Sequence, residues 1–114
     1  MHGIVRVASL LVVLALGACG GGQSACEAAG LDLCDRACSC ATDGKCRIVS
    51  GGASITFDTQ TDCEALYVTL GCSGGGDASV DFDACQGDLA VAACVDGAEA
   101  GEVGVEMPAS CNSN

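Results

Sequence analysis

Eleven cysteines dominate the chemistry open to this chain of 114 residues, and its single histidine, His2, stands at the very start. A thiol can attack, shuttle electrons or hold a metal, and each role has its own spacing. Redox catalysis favours a low-pKa thiol in Cys-x-x-Cys, yet no two cysteines here are three positions apart. Cys38-Ser39-Cys40 is the tightest pair, and each member is expected to bond elsewhere, because so local a bridge is strained. Cys34, Cys38, Cys40 and Cys46 lie near enough in sequence to enclose zinc as four thiolates. An oxidising compartment counts against that alternative, since it turns thiols into disulfides. Asp77, Asp81 and Asp83 offer oxygen ligands of the kind Ca²⁺ prefers. They lack the regular loop of an EF-hand and read better as a solvated helix N-terminus, where negative charge meets the helix dipole. No Ser–His or Cys–His pair can be built past position 2. No Gly-rich phosphate loop with a following Lys is present either. The assignment is therefore no catalytic residue, no metal ligand and no cofactor.

Composition explains why so many cysteines are needed. The chain has no Trp, two Phe and one Tyr, so large apolar side chains for a core are scarce, and small ones contribute little burial each. Cysteine at about one residue in ten is the signature of a disulfide scaffold in a short exported chain. Charge is one-sided: past position 18 the chain keeps Arg36, Lys45 and Arg47 against fifteen Asp and Glu, a net of −12. Such a surface repels nucleic-acid phosphates and anionic headgroups, so no nucleic-acid partner is expected. The same field keeps a domain soluble and attracts cations or a basic protein.

The first residues fit an export signal. Met1 to Arg6 forms a short positive n-region, and Val7 to Leu16 is apolar apart from Ser9. A run of this length suits a signal-peptide h-region and falls short of the roughly 20 residues a membrane span requires. It closes on Leu16-Gly17-Ala18-Cys19, which resembles the lipobox of bacterial lipoproteins: an aliphatic residue, two small residues, then the cysteine that is acylated. The resemblance implies a signal peptide over 1–18, lipid on Cys19 as the first mature residue, and anchoring of the exported chain to the cell envelope. Gly20 after the cysteine implies the outer membrane, and palmitate is a natural acyl group. Parity agrees, because setting Cys19 aside leaves ten cysteines, an even number. Residues 19–25 then serve as lipidated cysteine and flexible tether, with Gly20-Gly21-Gly22-Gln23 at its centre.

Residues 26–114 form the disulfide-stapled domain. Ser24-Ala25-Cys26-Glu27 fits a capping box, and Gly30 is expected to weaken or split the helix that follows. Leu31, Cys34 and Cys38 fall on one helical face, with Asp32 and Arg36 four apart on the outer one. Arg47-Ile48-Val49 and Ser54-Ile55-Thr56-Phe57 flank Ser50-Gly51-Gly52-Ala53 as a β-hairpin. Thr61-Asp62-Cys63-Glu64 suggests a second capping box, with Leu66, Tyr67 and Leu70 as an apolar stripe and Gly71 as its stop. A third helix opens at Asp81 or Asp83 and is expected to carry Cys85, Leu89, Cys94 and Ala98, followed by an irregular acidic tail. The predicted fold is a small disulfide-rich, α-rich domain of about three short helices plus a β-hairpin.

Cys26, Cys34, Cys38, Cys40, Cys46, Cys63, Cys72, Cys85, Cys94 and Cys111 are expected in five bridges, and sequence does not fix their pairing. The last six are spaced C-x16-C-x8-C-x12-C-x8-C-x16-C, which favours one bridge between the two C-x8-C segments across an αα-hairpin. Asp83-Ala84-Cys85 through Cys94, followed by Met107-Pro108-Ala109-Ser110-Cys111, resembles the C-terminal part of small Cys-rich lipoproteins of myxobacteria and their relatives. The stretch between Cys94 and Cys111 is longer and more acidic than in that group. The resemblance implies a location and a class, and no activity. The reading is a lipid-anchored, non-enzymatic envelope module, structural or partner-binding. Its membrane contact runs through the lipid, and a basic protein or a cation meets its acidic surface. A metal-binding module and a thiol–disulfide redox protein are the competing classes.

Overall fold

The computed structural model describes residues 24–112. The signal segment 1–18, Cys19, Gly20-Gly21-Gly22-Gln23 and the last two residues lie outside them. Within the described residues, three helical segments and a four-stranded mixed sheet form two packed layers, closed by five disulfides.

Helix α1 runs Ala25–Ser39. Its capping box is complete: Glu27 N–H donates to Ser24 Oγ at 3.1 Å, and Ser24 N–H donates to the Glu27 carboxylate at 3.0 Å. Gly30 does not split the helix. It lets a neighbour approach, for a Cβ at this position would stand 2.7 Å from the Tyr67 carbonyl oxygen. The buried stripe is Cys26, Ala29, Leu33, Cys34 and Ala37; it shares Cys34 with the expected Leu31, Cys34 and Cys38 face, Cys38 packs at its margin and Leu31 is only partly buried. Asp32 and Arg36 do not pair with each other. Gln86 donates to Asp32 at 3.0 Å and Arg36 donates to the Ala92 carbonyl, so both tie α1 to the third helix and the chain after it.

Strands β1 (Cys46–Ser50) and β2 (Ala53–Phe57) form the expected hairpin, in register Ser50–Ala53. Gly51 and Gly52 both adopt positive φ, 58° and 85°, as a two-residue hairpin turn of matching twist requires. The hairpin is half of a larger sheet. Strand β3 (Cys94–Asp96) pairs antiparallel with β4 (Val103–Glu106), and β4 lies parallel to β1, giving the order β2-β1-β4-β3. The α-rich expectation is corrected here, since residues 94–98 leave the third helix and the acidic tail contains a strand. Gly104 permits the parallel pairing: a Cβ there would stand 2.5 Å from the Arg47 carbonyl oxygen.

Helix α2 (Gln60–Glu64) starts two residues before the expected box, capped by Thr59 Oγ1, which accepts from Asp62 N–H. It continues as a π-helix, Ala65–Leu70. The wider winding breaks the expected stripe, turning Tyr67 toward the core while Leu66 and Leu70 stay 40% and 69% exposed. Helix α3 spans Phe82–Leu89 and is capped by Asp81, whose carboxylate accepts from Ala84 N–H. The core joins Leu33 and Ala37 of α1, Leu89 of α3, and Ile48 and Val105 of the sheet.

The opposite face of β1 holds a charge. Arg47 is 2% exposed. Its guanidinium donates to Thr56 Oγ1 at 3.0 Å, the Val103 carbonyl at 3.1 Å and Asp43 at 3.0 Å, with Glu102 at 3.6 Å. These partners come from β2, from β4 and from the loops before β1 and β4, so one side chain clamps four segments. Arg47→Ala is expected to destabilise the oxidised domain by about 3 kcal/mol in denaturant unfolding, the scale of removing one partner from a buried charge network. Arg47 holds the Asp43 carboxyl below its ordinary 3.8, chiefly through their hydrogen bond. A depressed carboxylate stabilises above its unfolded value and loses that contribution as pH falls through the folded one. Acid unfolding should therefore steepen below about pH 4, and Asp43→Asn should flatten that limb; an unchanged acid limb would refute the clamp.

Candidate functional site

The residues expected to do chemistry are mutually consumed. Cys26 bonds Cys72, Cys34 bonds Cys63, Cys38 bonds Cys46, Cys40 bonds Cys94 and Cys85 bonds Cys111. The four cysteines considered for zinc thus fall into three different bridges, and the local Cys38–Cys40 bridge does not form. The favoured bridge between the C-x8-C segments is also absent. Cys63 and Cys72 both reach α1, while Cys85 and Cys94 go to the C-terminal segment and to the α1 cap. Cysteines nine apart on a regular helix point to opposite sides. The π winding of Ala65–Leu70 alters that phase, and Cys72 lies past the helix end, so two rungs can join the same pair of elements.

Two of the three carboxylates before α3 make local hydrogen bonds, and Asp83 stands in the helix's first turn. Asp77 accepts from Ser79 N–H at 2.9 Å and from Ser79 Oγ at 2.8 Å, and Asp81 caps α3. Among the described residues, no group of three or more His, Cys, Asp or Glu could hold a metal ion. No described helix is long and apolar enough to cross a membrane.

What the fold does build is a cleft of about 180 Å³ between α1, the π-helix and the segments flanking α3. Ala29, Gly30 and Leu33 form one wall, Tyr67 and Gly71 a second, Val80 and Phe82 a third. Met107 and the Cys85–Cys111 bridge close it, and Asp77 is the one carboxylate on its lining. Burial raises the Tyr67 phenol above its ordinary 10.0, keeping it neutral at physiological pH. The space suits a small apolar group: an engineered apolar cavity of roughly 150 Å³ accepts benzene. It contains no nucleophile paired with a base. Sequence reasoning missed this cleft because its walls come from four separated segments. The Gly30 exception inside a helix was the local signal of a close approach.

Asp77 apart, the lining of the cleft is uncharged. The three cations of the described chain are all committed, Arg47 to its clamp, Lys45 to Asp58 at 3.0 Å, and Arg36 to the Ala92 carbonyl. The outward field is that of carboxylates.

No known family model, curated protein or solved structure matches the chain. The site must be read from its own chemistry. Gly30→Ala gains helix propensity of about 1 kcal/mol but drives a methyl into the Tyr67 backbone, an overpacking that costs about 1–3 kcal/mol. A net loss of about 1 kcal/mol in unfolding is expected, and a gain in stability would show that the close contact at the cleft wall is absent.

Proposed function

We propose that the protein is a lipid-anchored module of the cell envelope, probing its surroundings by binding and not by turnover. The observation that carries this reading is the closure of all ten cysteines after Cys19 into five mutual bridges. That pattern belongs to an oxidising, extracytoplasmic compartment. It leaves Cys19 as the odd thiol, at the end of an apolar run and two small residues, where acylation accounts for it. Gly20 supports the outer membrane as destination. The cleft supplies an apolar seat, and the carboxylate field favours a basic partner over an anionic one. Nothing in the arrangement favours metal or redox chemistry over this reading, because the thiols both would need are in structural bridges.

Intact mass tests the anchor. The mature chain should begin at Cys19, carry acyl mass, and show no alkylatable thiol before reduction. Cys19→Ser should abolish acyl labelling; labelling that persists would sink the assignment. Binding from envelope extracts should weaken steeply as salt is raised, because exposed charges are screened beyond about 8 Å at physiological ionic strength. A partner held undiminished at high salt would overturn the electrostatic part and leave the cleft as the docking seat.

A further inference from the structure

We infer that the π-helix end is a membrane foot: Leu66 and Leu70 rest in the interfacial zone of the bilayer that the Cys19 lipid enters. This rests on the acylation of Cys19 proposed above.

Three observations place the foot. The tether is short, since four residues lie between Cys19 and Ser24, and the five extended steps from one to the other span at most about 17 Å. The N-terminal turn of α1 is therefore held close to the headgroups. The Cys26–Cys72 bridge then fixes the π-helix to that same turn, with Cα atoms 5.7 Å apart. Leu70 is two residues from Cys72, as Ser24 is from Cys26. Third, residues 65–76 carry no charged side chain, the longest such stretch in the described chain, on a surface otherwise governed by carboxylates. Leu66 and Leu70 stand 40% and 69% exposed within it.

The same geometry provides a control. Val91 is 83% exposed, but it adjoins Ala92, whose carbonyl accepts from Arg36 near the other end of α1. Ten residues of helix separate Cys26 from Arg36, about 15 Å at 1.5 Å per residue. An apolar residue is thus exposed at each end of the helix, and only one end adjoins the tether.

The chain has no tryptophan, so one substitution creates a clean reporter. Full-length lipoprotein carrying Leu70→Trp or Val91→Trp is reconstituted into phosphatidylcholine vesicles with brominated acyl chains. Its acyl mass and the absence of free thiols are checked first. Trp at position 70 should shift to shorter wavelength and lose emission to the bromines, while Trp at position 91 should do neither. Leu66→Trp repeats the measurement on the same face should the first variant fail the thiol check. Acyl mass with no quenching at the foot, or with equal quenching at both ends, overturns the foot and leaves the anchor standing. Absence of acyl mass overturns both.

Discussion

Four of the five disulfides radiate from α1 and its C-terminal cap, and the rest of the fold is arranged around that fact. Cys26 reaches the end of the π-helix, Cys34 reaches α2, Cys38 reaches β1, and Cys40 reaches β3. One 15-residue helix is thereby cross-linked to β1, α2, the end of the π-helix and β3, while β2, α3 and β4 have no direct bridge to it. The fifth bridge, Cys85–Cys111, ties α3 to the segment following β4. Such a framework suits a chain whose fully buried side chains are few and small, with Leu89 and Val105 the largest apolar ones. Each bridge contributes typically about 2–4 kcal/mol by restricting the unfolded chain. Buried cystines also replace the missing large side chains, since Cys34 and Cys63 are themselves at the centre of the core.

The disulfides organise the helical side of the sheet, and Arg47 organises the other. A guanidinium taken from water is costly unless its donors are met. Here they are met by a hydroxyl, a carbonyl and two carboxylates drawn from different segments. Gly97 allows the covering loop to close, because a Cβ there would fall 2.8 Å from Glu102 and 3.0 Å from the Arg47 side chain. The parallel β1–β4 contact is short, with two paired positions. The clamp bonds to Val103 in β4 and helps hold that contact in register.

Local chemistry was legible, and long-range pairing was not. Ser24 with Glu27, the Gly51-Gly52 turn and Asp81 before α3 announce themselves because each signal and its structure lie within a few residues. The disulfide class was readable from count and context. The partners were not, since separations reach 54 residues. The run from Leu89 to Val95 is apolar and compatible with helix or strand. Tertiary pairing decided it: Cys94 joins β4 in the sheet and bonds the α1 cap. Arg47 was readable as a hairpin residue and its burial was not, because nothing nearby in sequence foretells that β4 and the loop before it will cover it. The π-helix shifts a stripe that any reading at 3.6 residues per turn assigns to the core.

The distribution of cations bears on how the proposed anchor would hold such a domain on a membrane. A single acyl chain binds marginally, and many anchored proteins add a polybasic segment as a second signal. After Cys19 the first basic residue is Arg36, and it is bound to Ala92 near the far end of α1. Lys45 and Arg47 are further along the chain, each already paired with carboxylates. Electrostatics near the tether therefore oppose contact with anionic lipid, and retention falls to apolar contributions alone. The two acyl chains proposed for Cys19 would meet that requirement by burying many methylenes at about 0.8 kcal/mol each. The uncharged π-helix end then has a definite place under that proposal: it is the longest uncharged stretch beside the tether, with Glu27 and Asp77 as the neighbouring carboxylates. Under that proposal the disulfide that fastens it to the first turn of α1 would make orientation a property of the covalent framework and set the cleft, which shares Cys26, Tyr67 and Gly71 with that end, on the anchor side.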